Sequence, residues 1–252
     1  MNDYQSMKAT VWDFYNAFEK AAAADVAATL SAHVAPDYHT LAVYPFDRLV
    51  GPDAAAETLY VPLKTCFTGL QRRPFVFLAG TSEVDDTDWV ASLGHFMGLF
   101  DHDWLGIPAT GRLACLRYAD FHCVEKGRIT RSAFFCDIID LMQQAGINPL
   151  PSSTGAPGIW PPPKTMDGLL HASHDPEQAA MTLALIDRMV EDLNALNKSG
   201  EDRCTPDYLA RTWRGDMGWY GPAGIGATYT IPRYQQQHQR PFRQGVQQKV
   251  FN

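Results

Sequence analysis

Positive charge is scarce in this sequence. Lys and Arg total 21 against 28 Asp and Glu, a net charge of −7, and the densest basic cluster is the pair Arg72-Arg73. Affinity for a phosphate backbone comes from clustered Lys and Arg, so nucleic acid is excluded as the main partner. Long apolar runs are missing too. None reaches the roughly 18 residues of a membrane span, and no membrane partner is expected. The opening residues Met1-Asn2-Asp3-Tyr4-Gln5 carry neither a basic nor an apolar leader segment, which makes the cytoplasm the expected location. The five cysteines, Cys66, Cys115, Cys123, Cys136 and Cys204, are odd in number and form no CxxC pair. Reduced thiols are expected, with no disulfide or zinc framework. What is present is a chain of 252 residues, 46% apolar and 19% charged, able to bury a core as one large domain or two smaller ones.

Helical spacing opens the chain. Val11, Phe14, Tyr15 and Phe18 share one face between Met7 and Ala22. A second helix is predicted over Asp25–Leu30 with Asp25 as its N-cap, then a short strand, Tyr38–Tyr44, closed by Pro45. Gly51-Pro52-Asp53 starts a helix through Ala54–Glu57 that resumes after Pro62 as far as Leu70. Four strands follow, Phe75–Ala79, Asp88–Phe100, Leu113–Val124 and Arg128–Ile138, the last two joined by a tight turn at Glu125-Lys126-Gly127. A short helix then stops at Gly146. Helices followed by long hairpin-linked strands indicate an α+β domain over residues 4–147.

Residues 148–174 are rich in proline and are expected to form a semi-rigid linker. A mainly helical module follows over 175–252, with Leu183, Ile186, Met189, Val190 and Leu193 on one helix face. Its order of helix, helix, Gly221-Pro222 and a helix containing Pro241 resembles the start of the first module, which runs helix, helix, strand, Gly51-Pro52 and a helix containing Pro62. The module reads as a partial second copy without its sheet.

Gly94-His95-Phe96-Met97-Gly98-Leu99-Phe100, Gly106-Ile107-Pro108-Ala109-Thr110-Gly111-Arg112, Lys126-Gly127-Arg128-Ile129, Asp137 and Gln144-Ala145-Gly146 together resemble the SnoaL-like polyketide cyclase family. That family belongs to the NTF2-like, or cystatin-like, superfamily. The resemblance implies an α+β cone, a curved antiparallel sheet packed on helices around an apolar pocket. It also implies aldol cyclisation or isomerisation of a small hydrophobic carbonyl compound without metal or organic cofactor, and a homodimer or a tandem pseudo-dimer. Counted from the hairpin glycine, the family's catalytic aspartate falls at Phe134 and its histidine at Asp120.

Proton transfer beside a carbonyl needs a base in an apolar setting and a donor for the enolate oxygen. With a three-residue hairpin loop, Tyr118, Asp120 and His122 share a face with Ser132, Phe134 and Cys136. Asp120, His122 and Asp137 are therefore the candidate catalytic groups. The plainer alternative makes Asp120 a solvated residue and His122 a satisfied core group. Asp137 has a second role open to it, as a helix cap. Tyr118, His95, Phe134, His39 and Tyr44 are candidate ligand contacts, His95 being also explained as a structural core histidine. His95, Asp101, His102 and Asp103 match no ligand spacing, so no metal is expected. The run Gly221–Gly226 lacks the strand and Lys-Ser/Thr of a phosphate loop. A non-catalytic small-molecule-binding or dimerisation module on the same fold is the rival reading.

Overall fold

Met7, Val11, Phe14, Tyr15 and Phe18 recur at three- and four-residue spacing and bury one face of α1 (Tyr4–Lys20). The computed structural model describes residues 4–158, 161–199 and 206–246; Cys204 lies outside them. Two compact units divide the chain, the first being Met1–Pro149 with Pro162–Ser173 and the second Leu150–Pro161 with His174–Asn252.

In the first unit a single 3-10 turn, Ala23–Asp25, leads into α2 (Val26–His33), and Asp25 makes no side-chain cap there. Strands β1 (Val34–Ala42) and β2 (Arg48–Val50) precede α3 (Pro52–Ala55), a π turn (Ala56–Tyr60) and α4 (Val61–Cys66). No break occurs at Pro62. The π turn ends just before it, and Pro62 sits in the first turn of α4, where a missing N–H costs little. The helix stops at Cys66, so β3 (Phe67–Thr81) begins eight residues before the predicted Phe75. Strands β4 (Asp88–Phe100), β5 (Leu113–Glu125) and β6 (Arg128–Cys136) lie within two residues of their predicted bounds, and α5 (Ile138–Gln144) follows.

The six strands form one sheet in the order β2-β1-β6-β5-β4-β3. The α+β class is the expected one, a sheet covered by helices. One pairing differs from a wholly antiparallel sheet, since β1 runs parallel to β6. The core between sheet and helices holds Phe14, Tyr38, Leu59, Phe77, Phe96, Leu116, Ile129 and Phe134, each 1% exposed or less. Residues 162–173, expected as linker, belong to this unit, where Leu169 bridges Phe77 in parallel.

The second unit holds α6 (Pro176–Ser199), α7 (Pro206–Leu209), a two-stranded ladder of β7 (Gly218–Trp219) with β8 (Thr228–Tyr229), then α8 (Ile231–Tyr234), a π turn (Gln235–Gln239) and α9 (Arg240–Gly245). Leu209, Ile231 and Tyr234 form its small core against Leu193, Trp213, Met217 and Trp219. Its last helical segment shares features with Gly51–Cys66 at constant spacing, and that spacing puts Thr230, not the expected Gly221, in the place of Gly51. Gly51 and Thr230 precede the helices with φ of 89° and 67° and ψ of 153° and 151°, Pro62 matches Pro241, and both copies carry the π turn. Buried positions match as well: Ala55 with Tyr234, Ala56 with Gln235 and Tyr60 with Gln239. Among the described residues no helix is long and apolar enough to cross a membrane.

Candidate functional site

Side chains alternate along a strand, and the sheet's register stacks the inward ones in rows. Ser92, Asp120 and Phe134 lie opposite one another on β4, β5 and β6; the next row is Val90, His122, Ser132 and, on β1, Thr40. Tyr118 faces the same side, opposite Gly94 and Cys136. This is the face assignment expected from the sequence, reached by another route. The hairpin loop has only two residues, Lys126 and Gly127, but a bulge where the register shifts between Cys123 and Val124 adds the extra residue on β6 that restores the alternation.

Asp120 is the hub. Tyr15 on α1 donates its hydroxyl to Asp120 Oδ1 at 2.7 Å, and Arg72 on β3 donates Nη1 to Oδ2 at 2.7 Å. His122 Nε2 stands 3.4 Å from the same Oδ2, and its Nδ1 lies 2.7 Å from Ser132 Oγ. The Nε2 contact is electrostatic only, since no hydrogen bond of good geometry is made there. Tyr118 OH pairs with Ser92 Oγ at 3.0 Å, and Tyr38 OH lies 3.5 Å from Tyr60 OH. The Arg72 guanidinium is flanked by the rings of Tyr15 at 3.7 Å and of Phe96 and Tyr118 at 4.5 Å. All of this is buried, the Arg72 and Asp120 side chains being 5% and 2% exposed.

Burial pushes the Asp120 carboxyl up, but the Arg72 guanidinium, then His122 and the Tyr15 hydroxyl, outweigh it and hold the pKa at about 2. Asp120 is thus a fixed anion at neutral pH and too weak a base to take a proton from carbon. Burial, followed by the Asp120 charge, raises Tyr15 well above an ordinary phenol; burial also raises Tyr118. Both remain phenols: Tyr15 gives its one O–H to Asp120, and Tyr118 shares a bond with Ser92 in which either oxygen can donate. Three buried polar atoms on this inward side, Thr40 Oγ1, Arg72 Nε and His122 Nε2, have no hydrogen-bond partner. Such atoms are uncommon in folded proteins, and a catalytic role is one of the physical reasons a fold keeps them.

The other sequence candidates lie elsewhere. His95 is on the outward face, between Arg73 and Arg117 in register, with its ring 5.8 Å from Phe75. Burial, with a lesser push from Arg117, lowers its pKa to about 4, leaving it neutral. Asp137 accepts the Asp140 N–H at 3.1 Å and caps α5, one residue beyond β6 and away from Asp120. His39 is half-buried while its neighbours Tyr38 and Thr40 face inward, and Tyr44 is 82% exposed. Sequence reasoning missed Tyr15, Arg72, Ser92, Tyr38 and Tyr60 as polar members of the interior. Among the described residues no group of three or more His, Cys, Asp or Glu is placed to hold a metal ion.

No family model and no curated protein matches this sequence. Among solved structures, a candidate SnoaL-like polyketide cyclase from Jannaschia sp. CCS1 is similar over 57% of this chain and 94% of its own, at 15% identity and a TM-score of 0.44. A candidate polyketide cyclase from Xanthomonas campestris pv. campestris is similar over 57% and 99%, at 22% identity and a TM-score of 0.46. An NTF2-like protein from Burkholderia xenovorans LB400 gives 57%, 97%, 18% and 0.41. These likenesses are of fold: SnoaL-like and NTF2-like structures are what somewhat over half of the chain is similar to.

Proposed function

We propose that the first unit binds a small hydrophobic carbonyl compound and moves a proton on it, in an aldol cyclisation or an isomerisation that uses no cofactor. The observation that carries this reading is the trio of partnerless buried atoms beside a carboxylate held ionised. His122 is the proton carrier, its Nε2 being the imidazole atom without a hydrogen bond. The Asp120 anion, 3.4 Å away, stabilises the imidazolium that forms when His122 takes the proton. Tyr118, whose oxygen can accept from Ser92, supplies a phenolic hydrogen bond to the developing enolate oxygen, as an oxyanion site does, while Tyr15 spends its proton on Asp120 and holds that anion in place.

The test is turnover of a panel of β-dicarbonyls, benzoylacetone among them, by the unaltered chain, His122→Gln and Asp120→Asn. Removing a positioned proton carrier costs about 10²–10⁴-fold in rate, so His122→Gln falls by that factor while benzoylacetone affinity stays. Turnover indifferent to both substitutions removes these roles.

One observation favours binding without chemistry. Both Asp120 oxygens are already taken, by Tyr15 and Arg72. Affinity for benzoylacetone with no turnover in any variant supports that module. The same reading pairs two chains through the outward face of the sheet, where Leu41, Phe121 and Phe135 are 55%, 39% and 51% exposed.

A further inference from the structure

Residues 167–172, from the stretch expected to be a linker, lie along the free edge of β3. Phe77 donates its N–H to Gly168 O and accepts the Leu170 N–H, both at 2.8 Å, which makes a minimal parallel strand pair. From α1, Lys8 Nζ donates to Leu170 O at 2.6 Å and to Ala172 O at 3.1 Å. Gly168 fits this approach for want of a side chain, since a Cβ there would stand 2.4 Å from the Phe75 carbonyl oxygen. The His171 ring meets Trp12 edge-on at 4.5 Å and lies 5.4 Å from Phe77. Trp12 and Phe77 are in turn each 6.2 Å from the Tyr15 ring. The layers from outside inward are therefore strap, Trp12 with Phe77, Tyr15, and Asp120.

Arg72, Asp120 and His122 are closed off from solvent, so anything that reaches them needs a wall to move. Of the walls, α1 and the central strands are held by packed cores and continuous ladders. The strap is held by two backbone bonds, one lysine and the contacts of a single ring, that of His171, with Trp12 and Phe77, and its central residue Leu169 is 39% exposed. Elements with few buried contacts are the ones that open locally at low cost. Pro161-Pro162-Pro163 stiffens the chain just ahead of it, which confines the motion to the strap itself.

We propose that residues 167–172 are a detachable seventh strand whose release opens the Trp12–Phe77 side of the interior to a small uncharged ligand. What passes through rests on the carbonyl-binding reading above; the opening itself does not. The experiment uses the full chain, Lys8→Met, which removes both lysine bonds, and Gly168→Val, which forces the strap from β3. Hydroxyl-radical footprinting reads Phe77 and Tyr15, and amide exchange on β5 verifies the fold. Labelling of both residues rises several-fold in both variants. If Phe77 becomes labelled while Tyr15 stays protected, the strap only covers a strand edge and the proposal is overturned. Should Gly168→Val not fold, Lys8→Met alone decides.

A second arm mixes each protein with benzoylacetone. A gate raises the association and dissociation rate constants together, several-fold, and leaves the affinity nearly constant. Binding at unchanged rates overturns the gate. Absence of binding in all three proteins sinks the carbonyl reading, and the footprint then decides on the strap alone.

Discussion

Asp120 owes its charge to its neighbours. Its folded pKa of about 2 lies below the roughly 3.9 of an unfolded aspartate, so ionised Asp120 contributes about 2–3 kcal/mol. That contribution is complete above about pH 4 and is lost as pH falls through about 2. Arg72→Met removes the largest opposing charge and leaves burial to act, which raises the carboxyl pKa. Breaking a buried pair in this way costs about 3–5 kcal/mol at neutral pH. It also reverses the slope, because the folded state then binds a proton more readily than the unfolded one, and stability falls as pH rises. Urea unfolding between about pH 3 and 7 reads both effects, and Asp120→Asn abolishes the pH dependence that Asp120 supplies. Asp120, His122, Tyr118 and Phe134 were legible in the sequence because a period of two on two neighbouring strands places them together. Tyr15 and Arg72 were not. Their partner Asp120 lies 105 and 48 residues away, and Gln71-Arg72-Arg73 shows no apolar alternation to announce a strand. His39 falls off the inward face because its neighbours Tyr38 and Thr40 take that face, and β1 carries apolar residues on both faces, which leaves its parity open in the sequence.

Elements were readable where one face alone is buried and less so where partners decide. Strands β4, β5 and β6 follow the pattern closely. The bulge between Cys123 and Val124 left no mark in the sequence, yet it sets which side chains meet. Pro-Asp-Tyr occurs twice, as Pro36-Asp37-Tyr38 in β1 and as Pro206-Asp207-Tyr208 in α7. In the first unit it sits in the irregular stretch of β1 between Val34 and His39, both of which pair with β6; among the described residues of the second unit no such strand is offered, and local helix forms instead. The two α-π-α segments also differ at the residue before them. Gly51 adopts a φ of 89° without cost, whereas Thr230 holds a φ of 67° with a branched side chain. Thr230→Gly is expected to relieve that strain and stabilise the second unit by about 1 kcal/mol. Amide exchange at Tyr234, whose N–H bonds to Thr230 O, reads it as slower opening, with the first unit unaffected.

Across the whole sheet, the register aligns an apolar row on the outward face. Leu78, Ala91, Phe121, Ala133 and Leu41 lie opposite one another on β3, β4, β5, β6 and β1. Phe135 stands beside the row, its ring 6.2 Å from that of Phe121 in an edge-to-face pair. Contiguous apolar surface of this extent marks an interaction site on a folded protein. The inward face of the same strands carries the polar cluster, so the alternation that builds the interior also leaves hydrophobic side chains outside. A partner that presents the same face satisfies it by two-fold symmetry, each row lying on its counterpart, and a stable pair needs about 800 Å² from each copy. Phe121→Lys with Phe135→Lys places two charges in the centre of that contact, where each meets its symmetry mate. The expected outcome is a dimer for the unaltered chain and a monomer for the double variant in sedimentation velocity, with unchanged far-ultraviolet circular dichroism because neither side chain points into the core. A chain that sediments as a monomer before any substitution refutes the pairing. A double variant that remains dimeric moves the contact to another surface.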